Sequence, residues 1–481
     1  MITRSESLLR LPRLRLLLKA STDRGKERYR RAGITAASSV FSKALAVIIS
    51  FASVPLTVHY LGTERYGVWL TISSLLTWMA LTDFGLAGNA LVNVIADASG
   101  KDDRQTAREY AASAFWGLLA ISGGIGLISL ITFHFIPWRA VFRVSAGIST
   151  AELQQACAIT LAIFVVSLPL AMLNSVYSAY QDGFVSNVWG IASNGVALIS
   201  LIIATQFRGG LTVLVLALFG SRTAIVMASA FYAFYRRYPW LAPALSAVRW
   251  TRTKRLFSLG GKYMLTQLAS LGIYQSQPII ITQLFGPAQV TIFVVAYKII
   301  ALPVDLSYMA TVPFVSAFAE AKARTDWKWI KGAYRNSTLV SLVLGLPIVA
   351  ILALAAKPLI RVWAGPAAVP SSVLVLSLSI YTLIAVALMP AGQLLSGLER
   401  VGRLAFFLSL CAMANIGFGI LFARHWGLSG IAFAMAASKV VFYWPVAYEI
   451  YHLFNGPNAL DSGNDNAAGA KARSEFARTE G

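Results

Sequence analysis

Twelve apolar stretches of about 20 or more residues constrain how this 481-residue chain can fold. About 20 apolar residues in helical form cross the hydrocarbon core of a bilayer, where a helix satisfies all its own backbone hydrogen bonds. We therefore predict twelve membrane-spanning helices. They lie at 34–60, 67–96, 110–136, 153–179, 184–206, 210–235, 256–284, 288–316, 333–356, 369–397, 402–423 and 427–453.

The composition agrees with a membrane protein. Apolar residues make up 57% of the chain and charged residues only 13%, whereas soluble domains contain about 25% charged residues. Cys157 and Cys411 lie in predicted spans of different halves, so a disulfide between them is not expected. We predict an all-α polytopic membrane protein.

The positive charge is distributed unevenly between the two sides of the predicted membrane. With the N-terminus placed in the cytoplasm, the inner side holds 29 of the 41 Lys and Arg residues, the outer side seven and the spans five. This is the positive-inside pattern, and it predicts that both termini are cytoplasmic. The net charge of +21 is therefore explained by orientation, and we expect no nucleic-acid partner.

Five segments follow from these patterns. They are a basic cytoplasmic segment at 1–33, an N-lobe of six helices at 34–235, a basic cytoplasmic inter-lobe loop at 236–255, a C-lobe of six helices at 256–454 and a disordered cytoplasmic tail at 455–481. Leucines alternate with basic residues in the first segment. That pattern fits either a short helix on anionic lipid or a basic tail that only sets orientation.

The two halves read as an internal duplication. Residues 210–222 recur as 427–439, and in both copies a cation directly follows a serine within an apolar stretch. Asp83 in the second helix matches Asp305 in the eighth, and the offset between matched positions drifts from 224 to 217 residues. Because each half has six helices, both halves enter from the same side. We predict two pseudo-symmetric six-helix lobes related by an axis along the membrane normal, with the substrate path between them.

Charged side chains inside the spans are the candidate functional residues, because a charge at membrane mid-depth costs several kcal/mol by most estimates, roughly 2.5 to 17. We assign substrate binding in a cationic cavity to five of them: Lys43, Arg222, Lys262, Lys298 and Lys439. The competing interpretation is buried ion pairs, although five cations exceed the two mid-span carboxylates. Asp83 and Asp305 are either coupling sites for a proton or sodium ion, or counter-ions.

Sequence motifs for other chemistry are absent. The four histidines are scattered at span ends, and no His, Cys or carboxylate spacing suggests a metal. No glycine-rich loop ends in Gly-Lys-Ser/Thr, so the chain has no nucleotide-binding P-loop. The longest outer loop has about sixteen residues with Glu152 as its only carboxylate, which disfavours a membrane-bound glycosyltransferase or polymerase. We expect neither enzyme activity nor a cofactor.

The first two spans carry a recognisable pattern. It comprises Leu61-Gly62, Tyr66-Gly67-Val68-Trp69 and Asp83-Phe84-Gly85-Leu86. This pattern resembles the polysaccharide transporter family of O-antigen and lipid-linked oligosaccharide flippases, in the multidrug/oligosaccharidyl-lipid/polysaccharide exporter superfamily. Beyond residue 110 the resemblance is one of architecture, with twelve spans in a MATE-like exporter fold.

The resemblance implies a function in surface polysaccharide or exopolysaccharide biosynthesis. A flippase of this kind moves an undecaprenyl-diphosphate-linked oligosaccharide across the bacterial inner membrane by alternating access. Its implied partners are the lipid-linked oligosaccharide and membrane lipid, with a polysaccharide polymerase and glycosyltransferases as further candidates. The alternative is a multidrug or cation antiporter of the same fold, for which an acidic cavity would be expected. A third class, a scaffold of a polysaccharide assembly complex, would not need paired mid-span charges.

Overall fold

A computed structural model of the protein describes residues 12–207 and 210–455, and within these ranges the chain is helical with no strand. The first half contains α1 (Pro12–Met79), α2 (Asn89–Gly100), α3 (Arg104–Thr132), α4 (Trp138–Phe142), α5 (Thr150–Leu170), α6 (Met172–Ala179), α7 (Gly183–Gln206), α8 (Gly210–Val215) and α9 (Ser221–Tyr232). The second half contains α10 (Trp250–Tyr274), α11 (Gln277–Phe285), α12 (Pro287–Ile300), α13 (Leu302–Thr311), α14 (Phe314–Ala323), α15 (Trp327–Trp363), α16 (Ser372–Gly397) and α17 (Val401–Asn455). The predicted tail lies outside the described residues except for Asn455.

Nine helical stretches among the described residues are long and apolar enough to cross a membrane. Two of them, Phe41–Asp83 and Leu404–Asn455, contain 43 and 52 residues. At 1.5 Å per residue each is about twice as long as the hydrocarbon core is thick. Each is broken by one glycine with a positive φ, Gly62 at 75° and Gly427 at 60°. The chain is therefore a multi-pass membrane protein of the predicted all-α class, while the count of twelve spans stays a prediction.

The internal duplication is visible in the backbone. Left-handed conformations recur in the two halves at matched positions, and their separation falls from 224 to 217 residues along the chain. The matched pairs are Gly62 with Gly286, Asp102 with Thr325, Arg143 with Gly365, Gln181 with Glu399, and Gly210 with Gly427. Half of these residues are not glycine, so shared chain geometry, rather than shared residue type, relates the halves.

The helix N-termini repeat as well. The side chain of Asp103 accepts a hydrogen bond from the Thr106 amide at 2.9 Å and begins α3. At the matched position the side chain of Asp326 accepts one from the Trp329 amide at 3.0 Å and begins α15. An aspartate in this position accepts a hydrogen bond from one of the free amides of the first helical turn. Its negative charge also interacts favourably with the positive end of the helix dipole.

The chain packs into two compact units that differ from the two sequence halves. Unit 1 comprises the chain up to Tyr60 together with Thr82–Ile136 and Thr150–Tyr263. Unit 2 comprises Leu61–Leu81, Pro137–Ser149 and the chain from Met264 onward. The last part of α1 therefore belongs to unit 2.

Residues 61–81 pack closely within unit 2. The hydroxyl groups of Thr71 and Thr282 are 2.6 Å apart, and Ser74 donates to the Gln275 carbonyl oxygen at 2.5 Å. At Gly67 the backbone approaches Pro287 so closely that a Cβ atom would lie 1.7 Å from the Pro287 carbonyl oxygen. Gly67, which belongs to the sequence pattern Tyr66-Gly67-Val68-Trp69, therefore has a role in helix packing.

The residue after each of the matched left-handed positions, Gln181 and Glu399, forms an ion pair. The residue is an acid in the first half and a base in the second. In unit 1, Asp182 accepts hydrogen bonds from Arg237 at 2.7 and 2.9 Å and from the Tyr238 hydroxyl. In unit 2 the next residue is Arg400, which donates to Glu449. The repeat therefore preserves a charged link, to the π-helical turn that follows α9 in the first half and to α17 in the second, but exchanges the positions of acid and base.

We expect single replacements at this link to destabilise the protein and the exchanged pair to restore it. Asp182→Ala should cost about 2 kcal/mol, below the 3–5 kcal/mol of a fully buried pair because Arg237 is 41% exposed. Asp182→Arg combined with Arg237→Asp should recover most of that loss. Thermal unfolding of the detergent-solubilised variants measures both effects. If the double variant unfolded at as low a temperature as Asp182→Ala, the acid and base would not be exchangeable at this link.

Candidate functional site

A polar seam connects α1 and α7 in unit 1. The side-chain amide of Asn187 donates to the hydroxyl oxygens of Ser38 and Ser39, at 2.8 and 2.9 Å. Gly190, one turn further along α7, faces α1, since a Cβ atom there would lie 3.7 Å from the Ser42 hydroxyl oxygen. Lys43 follows Ser39 by one turn of α1 and is exposed. Ser38, Ser39 and Ser42 of α1 therefore lie along this seam.

Arg222, on α9, makes a polar contact with α7. Its guanidinium donates to the Asn194 side-chain oxygen at 3.3 Å. Asn194 is seven residues from Asn187, so both asparagines lie on nearly one face of α7. The chain between α8 and α9 is a π-helical turn at Leu216–Gly220, a widening often found at functional sites.

The two candidate cations of unit 1, Lys43 and Arg222, have no acidic partner in the described part of the chain. Among the described residues, neither Lys43 nor Arg222 has a carboxylate within ion-pair distance, and Arg222 is exposed. An amide oxygen orients the guanidinium but leaves its charge in place. Arg222 is therefore available to an anion.

Sequence reasoning missed the two asparagines. Their signal was present, because two amide side chains seven residues apart in a mostly apolar helix, each preceded by a serine, mark one polar face. Neither side chain carries a charge, so charge alone does not identify them. Through hydrogen bonds of these two residues, α7 contacts both the serines of α1 and Arg222 of α9.

Asp83 occupies a break in the second predicted helix. Its side chain accepts a hydrogen bond from the Gly85 amide at 2.8 Å, and Phe84 and Gly85 both have left-handed backbone conformations. A Cβ atom on Gly85 would lie 2.5 Å from the Cα atom of Gly260 in α10. Asp83 thus stabilises a turn that brings two backbones into contact, whichever coupling or counter-ion role it has in addition.

Replacing Asp83 separates the turn from a role for its charge. Asn keeps an oxygen that can accept from the Gly85 amide, whereas Ala does not, so Asp83→Ala should cost about 1 kcal/mol and Asp83→Asn a few tenths. Thermal unfolding reports the stability difference. If Asp83→Asn is fully stable but inactive in transport, the carboxylate charge itself is required. If both variants unfold at the same temperature, the hydrogen bond from the Gly85 amide does not stabilise the turn.

Lys439 is the buried cation of unit 2. It lies on α17 with 7% of its surface exposed, and its amine is 3.4 Å from the Tyr274 hydroxyl and 5.4 Å from the centre of that ring. The rings of Tyr297 and Tyr381, on α12 and α16, have their centres 6.0 Å apart in the same unit. The lysine ammonium is attracted to the face of the Tyr274 ring, which helps to offset the cost of burying its charge.

The remaining predicted site residues are less closely grouped. Lys298 is half-buried near the end of α12 and Asp305 is exposed in the first turns of α13. The helix is interrupted between these two residues, because α12 ends at Ile300 and α13 begins at Leu302, with Pro303 in its first turn. The side chain of Lys262 lies outside the described residues. Lys43 and Arg222 therefore belong to unit 1, and Lys298, Asp305 and Lys439 to unit 2.

Comparison with known proteins adds sequence and fold relatives. A family model described as polysaccharide biosynthesis protein matches residues 60–368. A protein of Yersinia pseudotuberculosis whose name describes O-antigen export is 29% identical over 171 residues. That alignment covers 35% of this chain and only 38% of the relative's own length.

Solved structures share the fold at low sequence identity. An inward-facing multidrug resistance MATE family transporter of the MOP superfamily is 16% identical, with a TM-score of 0.69 over 86% of this chain and 96% of that one. The lipid II flippase MurJ, in an inward closed conformation, is 12% identical, with a TM-score of 0.66 over 86% of this chain and 87% of that one. These similarities establish the exporter fold predicted from the sequence.

Proposed function

The chain belongs to the polysaccharide biosynthesis protein family, and we propose that it is a flippase for undecaprenyl-diphosphate-linked oligosaccharides in the bacterial inner membrane. Its role would be to move these units to the outer leaflet for a surface polysaccharide or exopolysaccharide. The fold shared with a lipid II flippase and the O-antigen export relative both support a lipid-linked passenger.

The observation that carries the proposal is Arg222, a mid-span cation whose described partner is an amide rather than an acid. A charge at membrane mid-depth costs several kcal/mol, so a cation kept there with no carboxylate partner among the described residues would have a use in binding. A diphosphate would supply the missing negative charge during transport. Lys43 of the same unit, Lys298 and Lys439 of unit 2, and Lys262 are the further cations proposed to bind substrate.

Alternating access is the proposed mechanism. The internal repeat supplies two similar halves, and the breaks at Gly62, Asp83 and Ala301 interrupt helices where they can bend. The diphosphate and sugars would enter the cavity while the lipid tail stays in the bilayer. Asp83 and Asp305 would act as coupling residues or as counter-ions in this cycle.

The orientation and partners belong to the same proposal. From the positive-inside pattern we propose that both termini lie in the cytoplasm. The lipid-linked oligosaccharide and membrane lipid are the direct partners. Glycosyltransferases would act before transport, and a polysaccharide polymerase would act after it. The family resemblance points to transport rather than to catalysis.

A multidrug antiporter is the rival function, since a multidrug transporter shares the fold. That likeness concerns fold alone at 16% identity. Cationic drugs call for acidic cavities, and the mid-span cations here outnumber the acids. The charge sign therefore favours an anionic passenger.

Removal of the gene from its native host tests the proposal. We expect surface polysaccharide to be lost and the lipid-linked oligosaccharide to accumulate facing the cytoplasm, while susceptibility to cationic drugs is unchanged. Expression of the wild-type protein should reverse both effects. Normal polysaccharide combined with increased drug susceptibility would replace the flippase with the antiporter.

A further inference from the structure

The inter-lobe loop of unit 1 is a fixed platform rather than a free linker. Trp116 of α3 donates to the Pro243 carbonyl oxygen at 3.1 Å, and the Arg249 amide donates to the Ser113 hydroxyl at 3.1 Å. Short helical turns at Pro239–Leu241 and Leu245–Ala247 lie in this loop before α10. The backbone of this loop is therefore held against α3.

Basic residues accumulate where the loop enters α10. Arg249 and Arg252 share one carboxylate, with their Nε atoms 3.8 and 3.1 Å from the Glu109 oxygens. Lys254 and Arg255 are both exposed, and neither has an ion-pair partner in the part of the chain that the structure describes. One carboxylate against four cations leaves a strong local excess of positive charge.

Large apolar side chains accompany these cations on the surface. Trp250 is 75% exposed and Leu245 is 66% exposed. Trp250 precedes Lys254 by one helical turn, so both lie on one face of α10. Trp250 also lies six residues, about 9 Å, before the predicted start of the span at residue 256. That depth corresponds to the headgroup region, where tryptophan is enriched and where lysine and arginine meet lipid phosphates.

We propose that Leu245, Trp250, Lys254 and Arg255 form a binding patch for an anionic phospholipid headgroup of the inner leaflet. The cations would bind the phosphate and the negatively charged headgroup, while Trp250 and Leu245 enter the interface beside the first carbons of the chains. Charge complementarity selects an anionic lipid over a zwitterionic one. The inference rests on the cytoplasmic orientation used in the proposed function, but it is independent of the passenger.

Lipid association measured in reconstituted bilayers tests the patch. Full-length protein is incorporated into phosphatidylcholine membranes with a trace of spin-labelled phosphatidylglycerol or phosphatidylcholine, and the motionally restricted fraction of each label is compared. Wild type should prefer phosphatidylglycerol, with a preference that falls as salt is added. Lys254→Gln with Arg255→Gln should lower it by about fivefold for each cation removed. Trp250→Ala should weaken the association of both labels.

A matched charge change elsewhere controls for net charge. Arg324→Gln with Lys328→Gln removes two exposed cations from the loop between α14 and α15 and the start of α15, and should leave the preference at the wild-type level. An equal loss in this control, or a wild-type preference in the Lys254/Arg255 variant with unchanged thermal stability, would overturn the patch. In pure phosphatidylcholine the Lys254/Arg255 variant should transport as wild type does, so failure of the patch and failure of the flippase proposal are separate results.

Discussion

Replacing Arg222 with glutamine is expected to reduce transport of lipid-linked oligosaccharide by about tenfold to a hundredfold. A hydrogen bond to a charged group contributes about 1.5–3 kcal/mol, and the substitution removes that interaction with the diphosphate. The only described hydrogen bond lost within the protein is the 3.3 Å contact with Asn194, so stability should change little. The rate at which newly made surface polysaccharide appears, at equal protein level in the membrane, measures the effect.

Two further variants identify the charge as the cause. Arg222→Lys keeps a cation at the same depth and should retain much of the transport, although lysine cannot bind phosphate through two parallel hydrogen bonds. Asn194→Leu removes the orienting amide but not the charge, and we expect an intermediate loss. Normal transport by a stable Arg222→Gln protein would remove Arg222 from the proposed site.

The second large effect is expected at Gly67. A Cβ atom there would lie 1.7 Å from the Pro287 carbonyl oxygen, and neither backbone can move without displacing its own helix. Overpacking of a core usually costs about 1–3 kcal/mol, and a clash between two backbones should reach or exceed the upper end of that range. Gly67→Ala should therefore lower the unfolding temperature by several degrees or prevent stable insertion. Thermal unfolding followed by size-exclusion chromatography gives the measurement.

Gly332 provides the matched control. It also lies inside a helix, α15, but apart from its chain neighbours and its own helix backbone no atom lies within 4 Å of the position where its Cβ would be. Alanine in an open helical position stabilises by about 0.5–1 kcal/mol relative to glycine. Gly332→Ala should thus unfold at the wild-type temperature or slightly above it. Equal unfolding temperatures for the two variants would show that the contact at Gly67 is not tight.

Much of the architecture could be predicted because it follows from hydrophobic length and from repetition. Apolar stretches longer than 20 residues identify helices in a membrane without further information. The repeat was visible as matched residues, and the left-handed positions at Gly62, Gly286, Gly210 and Gly427 recur as the alignment of the halves requires. A glycine at a helix junction is readable in sequence because few other residues adopt that conformation.

The details of the site were harder to predict, since they depend on which helices become neighbours. A break at Ala301 places Lys298 and Asp305 on separate helices, although Pro303 gave a signal for it. The seam between α1 and α7 depends on Asn187, and the orientation of Arg222 depends on Asn194; neither asparagine carries a charge that would mark it. The assignment of residues 61–81 to unit 2 depends on long-range packing, which sequence spacing does not encode.

The most direct test is leaflet-to-leaflet transport by the purified protein in vesicles. A fluorescent polyprenyl-diphosphate oligosaccharide and an uncharged polyprenyl glycoside of the same sugars are compared, with wild type and with Arg222→Gln combined with Lys439→Gln. We predict that wild type moves the diphosphate form much faster than the uncharged form, and that the double variant loses this difference. Equal transport of both lipids by the wild-type protein, or unchanged diphosphate transport by the double variant, would contradict a cationic site for an anionic lipid.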